Sequence, residues 1–174
     1  MTDHDFVIEE ALPDELPAAS RLAAELIRVH HRFDPDRFAI LSEDLERGYE
    51  QYFRRRLAEG GAVILLATSG VDVDQTVAGY VYGELEGQSW TDLIGPHGKV
   101  HDLFVDPSFR GRGIGEALLR EAVRRLVDRG APRVLLDTAW SNAAARRLFE
   151  RVGYRPTMVE MTFTPTLPAP RDEA

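Results

Sequence analysis

Residues 104–126 read FVDPSFRGRGIGEALLREAVRRL, with glycines at 111, 113 and 115 interleaved with Arg112 and Ile114 and preceded by Arg110. Bare backbone, positive charge and the start of a helical pattern in one place describe an anion site. The first N–H groups of a helix have no partner within it and sit at the positive end of its dipole. Glycine removes the side chains that would hold a bulky phosphate away from those groups, and Arg110 and Arg112 add charge. Just upstream, His101 and Asp102 lie on the segment that leads into this turn. Histidine has the unperturbed pKa best suited to moving a proton near neutrality, and a carboxylate is the usual second choice. Simple strand alternation puts His101 with Leu103 and Val105 on one face, and Asp102 with Val100 and Phe104 on the other.

The elements around these residues can be read from periodicity. Phe6 to Glu10 predicts a first strand, and Leu22, Leu26, Val29 and Phe33 mark a helix ending near Asp34-Pro35. Ser42 is the expected N-cap of a second helix, whose apolar side is Leu45, Tyr49, Tyr52, Phe53 and Leu57 and which stops at Gly60-Gly61. The run Ala62 to Thr68 and the alternation through Val77, Val81 and Leu85 make a hairpin about the turn SGVDVDQ. Lys99 to Val105 is a strand feeding the glycines. A helix follows over about 113–129 with Ile114, Leu118, Leu119, Ala122 and Leu126 inward, then Gly130 as its stop. Val134 to Thr138 reads as a strand parallel to Lys99–Val105. A helix over Ala143 to Arg151 ends at Gly153, and Thr157 to Thr164 reads as a closing strand. The class is α+β. The expected organisation is one domain over residues 1–164, with the Pro-rich 165–174 as a flexible tail.

Composition narrows the chemistry. The 174 residues include no cysteine, so disulfides, thiolate metal sites and a cysteine nucleophile are all absent. The longest apolar run, AVILLA, is far short of the roughly 20 residues of a membrane span, and the acidic N-terminus is unlike a signal peptide, so a cytoplasmic protein without membrane association is expected. The formal charge of -8 is unevenly divided: residues 1–99 carry 9 basic and 19 acidic side chains, residues 100–155 carry 11 and 7. That division suits an anionic ligand in the second half and a cationic one facing the first, and argues against nucleic acid. His30-His31 lacks the spacing and companions of a metal site, and no metal is expected. Arg54 to Arg56 read as a solvated face, whereas Arg146 and Arg147 are open between a ligand phosphate and water.

Two familiar phosphate motifs do not fit. A dinucleotide fold calls for G-x-G-x-x-G directly after its strand, and a P-loop calls for Gly-Lys-Ser/Thr; neither is present. The turn instead resembles the acetyl-CoA motif of the GNAT superfamily of N-acetyltransferases, Arg/Gln-x-x-Gly-x-Gly/Ala, matched by Arg110, Gly113 and Gly115. VHDLFVDPSF is similar to that family's fourth strand and its exit. NAAARRLFERVGY is similar to its N-x-x-A-x-x-L-Y-E-x-x-G-F element at Asn142, Ala145, Leu148, Glu150 and Gly153.

The resemblance implies a mostly antiparallel sheet with flanking helices and a parallel strand pair that splays around acetyl-CoA. It implies that N–H groups of Arg110, Gly111, Arg112, Gly113, Ile114 and Gly115 hold the pyrophosphate. Leu103, Phe104 and Val105 would then border the cofactor, with Val105 N–H on the thioester carbonyl and Asn142 and Phe149 beside the pantetheine. Asn142 is equally a good helix N-cap. The implied reaction is direct transfer to a primary amine on a small molecule or peptide, with homodimerisation left open. His101 and Asp102 are the base candidates and Glu84 a third. Many relatives carry a tyrosine acid where this chain has Phe149, which leaves water or Tyr154 for that step and keeps open a non-catalytic acyl-CoA sensor.

Overall fold

The computed structural model describes residues 5–40, 42–70 and 76–165. Five strands form one sheet in the order β1-β2-β3-β4-β5, where β1 is Phe6–Glu10, β2 Ala62–Ser69, β3 Thr76–Glu86, β4 His97–Val105 and β5 Val134–Leu136. All neighbours are antiparallel except β4 and β5. Helices α1 (Leu16–Phe33) and α2 (Leu45–Ala58) cover one face, and α3 (Ile114–Asp128) covers the other with α4 (Ala143–Val152) against it.

Burial on both faces explains why β2 reads as an unbroken apolar run instead of an alternating one. Ala62, Ile64 and Leu66 join Tyr80, Tyr82, Phe104 and the α1 residues Leu16, Ala19, Leu22, Ala23 and Leu26 in one core. Val63, Leu65 and Ala67 join Val81, Val100 and the α3 stripe in the other. All five residues expected on the inner side of α3 are buried. Its end is closed by Gly130 at φ +99° and by Ala131 N–H donating to Leu126 C=O.

Three expectations are corrected. The N-cap of α2 is Asp44, whose carboxylate accepts from Arg47 N–H at 3.0 Å; Ser42 Oγ bonds Asp44 backbone instead, because the chain turns two residues later than its composition suggests. The parallel strand is only Val134–Leu136, so Asp137 and Thr138 lie beyond it. No strand forms over residues 157–164, where Met158, Val159, Met161 and Phe163 are exposed and Glu160 pairs with Arg37. Adjacent apolar Met158 and Val159 break the period-two pattern, and the three-residue β5 leaves little edge to pair with. The expected turn falls partly outside the described residues (71–75), as does the tail from 166 onward.

Candidate active site

The anion cradle is built as its residues dictate. Asp106 caps a 3-10 turn over Pro107–Phe109, accepting from Ser108 N–H at 2.8 Å, and this turn carries the chain from β4 into the glycines. Gly111 and Gly113 adopt φ of +80° and +83°, left-handed conformations in which an L side chain is strained. Gly113 is the N-cap of α3 and offers no side chain to its own helix. Among the described residues, the N–H groups of 111–116 donate to no carbonyl and no side chain; the first amide beyond them, that of Ala117, bonds Gly113 C=O. The guanidinium of Arg110 lies over the Phe104 ring at 5.4 Å with its Nε donating to Val105 C=O at 3.0 Å, and Arg112 lies over Phe109 at 5.2 Å.

This cradle adjoins a gap in the sheet. β4 and β5 pair only at Gly98–Val134, Lys99–Leu135 and Val100–Leu136, so β4 runs on to Val105 with no paired strand on that side among the described residues. Asp106 N–H donates to Ala78 C=O on β3, so by alternation Val105 turns its own N–H to the open edge. Across the gap, Asn142 caps α4, its Oδ1 accepting from Ala145 N–H at 3.1 Å. Ile114 is buried under the cradle, while a Cβ built on Gly115 would touch Leu148 and Val105 at 3.5 Å, so this glycine joins α3, α4 and the end of β4. Phe149 packs into the α3-side core with its ring 6.2 Å from Tyr154. The Tyr154 hydroxyl is buried without a partner among the described residues, and burial pushes this phenol up to about 12.

The opposite face of β4 holds the titratable groups, and here alternation fails. Tyr82 pairs with Asp102 but Gly83 pairs with Val100, so His101 is an extra residue in β4, a β-bulge. A Cβ on Gly83 would lie 2.7 Å from Lys99 C=O, so only glycine permits the strands to approach this closely at the bulge. The bulge turns His101 and Asp102 toward the same side. Both line a cavity of about 430 Å³ with Ser42, Leu45, Gly48, Tyr49, Tyr52 and Tyr82. Val100, Leu103 and Val105 share the α3 side, and Phe104 packs on the side of the cavity.

Each group in the cavity is tuned by its surroundings. The His101 ring stacks on Tyr82 at 5.2 Å, and its Nε2 lies 3.1 Å from Glu86 Oε1 and 3.5 Å from Glu84 Oε1. Burial holds the imidazole below its ordinary pKa despite the opposing pull of Glu86 and Glu84. Burial also pushes the Asp102 carboxyl up to about 6, against a smaller opposing effect of the Tyr80 hydroxyl. Tyr80 is wholly buried and its hydroxyl makes no well-formed hydrogen bond among the described residues, so its effect on Asp102 is one of proximity.

Glu84 is not the exposed residue its type suggests; it is buried, and Arg56 clamps its Oε2 through Nε at 2.9 Å and through Nη2. Glu86 bridges His101 and the buried His97, whose Nε2 lies 3.3 Å away. Glu84, Glu86 and His101 thus present three ligand atoms within 4.8 Å of one another, already engaged in this network. Sequence reasoning missed Glu86, His97, Gly48 and the pocket-lining role of the three tyrosines; the bulge that assembles them has no local signature beyond Gly83.

A glycine turn whose amides have no partner among the described residues and a titratable cavity thus meet at one strand. The acetyltransferase (GNAT) family model matches residues 24–154. The chain belongs to the GNAT acetyltransferase family. Solved structures agree with the acetyltransferase fold. The tetramutant of a Bacillus halodurans protein superimposes with a TM-score of 0.74 at 20% identity, covering 91% of this chain and 99% of that one. An aminoglycoside antibiotic 6'-N-acetyltransferase from Acinetobacter haemolyticus gives 0.67 at 18% identity over 93% and 99%. A predicted acetyltransferase from Clostridium acetobutylicum, solved with acetyl-CoA, gives 0.62 at 16% over 91% and 96%. Among the described residues of this acetyltransferase, no helix is long and apolar enough to cross a membrane.

Proposed function

We propose that this chain is an acetyl-CoA-dependent N-acetyltransferase that passes the acetyl group directly to a primary amine. The observation that carries the reading is the placement on β4: six unpartnered amides and an open strand edge at its end, and His101 with Asp102 in a cavity on its flank. The residues fit the cofactor, since the cradle offers donors and a bare backbone where a diphosphate needs both. When bound, acetyl-CoA supplies an acyl thioester whose carbon–sulfur bond breaks as the amine forms its bond to carbon.

The N–H groups of residues 111–116 would hold the diphosphate, Arg110 N–H being already given to Pro107 C=O, and Val105 N–H would donate to the acyl oxygen. Asp102 receives the incoming ammonium. His101 takes its proton: with Nε2–H directed at Glu86 and Glu84, the neutral ring keeps the Nδ1 lone pair for the amine. This tautomer follows from the partners of Nε2. Glu84, held by Arg56, orients the imidazole and is not itself the base. Asn142 has its oxygen committed to the α4 cap, so only its amide NH2 remains for a ligand.

Calorimetry with acetyl-CoA, followed by thiol detection with an amine panel, tests the reading. Binding plus thiol release supports it. Binding without release from any amine leaves the acyl-CoA sensor, a reading favoured by Phe149 at the position of the family's tyrosine acid. A further outcome is expected of Phe149→Tyr. A hydroxyl introduced on α4 beside the gap supplies the missing proton donor, and kcat should rise on the order of tenfold. Because a thiolate already leaves tolerably at its ordinary pKa, the gain stays modest, and KM for acetyl-CoA should not move.

A further inference from the structure

We propose that the acceptor is a monoamine carrying one ammonium on a flat or apolar body, and not a polycation. This rests on the acetyl-transfer reading above and names the substrate class of that same cavity. Of the eight residues lining the cavity, Asp102 alone is a carboxylate. Of the neighbouring acids, neither of which lines the cavity, Glu84 is ion-paired with Arg56 and Glu86 lies against the imidazoles of His97 and His101. The walls are aromatic. Tyr49 and Tyr52 meet edge to face at 6.4 Å, and Tyr52 meets Tyr82 the same way at 5.8 Å.

Positive charge borders the aromatic wall. Arg55 lies over the Tyr52 ring at 5.5 Å, while Arg56, its charge met by Glu84 and Glu59, reaches the Tyr82 hydroxyl with Nε at 3.4 Å. A first ammonium finds Asp102 and aromatic faces that favour a cation. A second on the same molecule would find no further carboxylate among the cavity-lining residues and would approach Arg55, and like charges brought together at a binding site are disfavoured. The acidic composition of residues 1–99, which by itself suits a multiply charged acceptor, is therefore not what the cavity presents.

Gly48 supplies an internal control. It lies within α2 on the cavity wall, and a Cβ built there has nothing within 4 Å, so a larger side chain fits the helix and fills the cavity instead. The test compares phenethylamine, hexylamine, spermidine and kanamycin by thiol release with acetyl-CoA, and by calorimetry on the chain saturated with CoA. The two monoamines should bind and turn over with kcat/KM at least about tenfold above the polycations. Gly48→Leu should raise KM for phenethylamine at least about tenfold, with acetyl-CoA binding and circular dichroism unchanged. Spermidine or kanamycin matching the monoamines, or an unmoved KM in Gly48→Leu, overturns the proposal while leaving acetyl transfer standing. Absence of any acetyl-CoA binding sinks the underlying reading and this one with it.

Discussion

Asp102→Asn should make the protein more stable and much less active. The folded-state carboxyl is raised to about 6 chiefly by burial. Its unfolded value is near 3.9, so folding favours the protonated form. The contribution of this group to stability is fully present below about pH 4 and is lost as pH rises through about 6. Asparagine has no proton to lose, so at pH 8 the variant should gain up to about 3 kcal/mol, a gain that vanishes near pH 4. Denaturant titrations at the two pH values read this directly. Over the same substitution, kcat/KM for the acceptor should fall on the order of 100-fold, because the ammonium loses its only counter-charge in the cavity. A variant that is neither stabilised at pH 8 nor impaired would remove Asp102 from the site.

The second large effect concerns the cradle. In Gly113→Val, a β-branched residue must adopt φ of +83°, which costs about 1–2 kcal/mol, and its side chain would fill the open space beside a run of amides that have no partner among the described residues. Acetyl-CoA affinity should fall at least about 100-fold, since two or more charge-assisted hydrogen bonds are blocked. Gly60, at φ of +81° and also with nothing near its absent Cβ, separates strain from binding. Gly60→Val should lose similar stability and keep its affinity for acetyl-CoA. Equal binding losses in both variants would mean that the Gly113 effect is general unfolding.

The two halves of the site differ in how far they can be read from sequence. The cradle is local: Arg110 to Gly115 and the apolar stripe of α3 lie within one stretch, and the backbone follows the glycines. His101 and Asp102 were recognisable as chemistry-bearing residues, but their shared orientation was not. A bulge is a property of two strands in register, and only the pairing of Tyr82 with Asp102 and Gly83 with Val100 creates it. Tyr49 and Tyr52 show the same limit, because a helical apolar stripe is silent on whether it meets a core or a cavity. Residues 157–164 fail for the complementary reason: strand-like composition without an available edge stays unpaired.

The short contact between β4 and β5 has a mechanical consequence. Beyond three paired positions at one end, the segment from residue 137 onward is held by the lean of α4 on α3 and by the ion pairs of Lys99 with Asp137 and of Arg37 with Glu160. The wedge between the strands therefore works like an open jaw whose closed end is the paired stretch from Gly98 to Val100. Whatever occupies it acts as a splint, and the C-terminal third should be stiffest when the jaw is full.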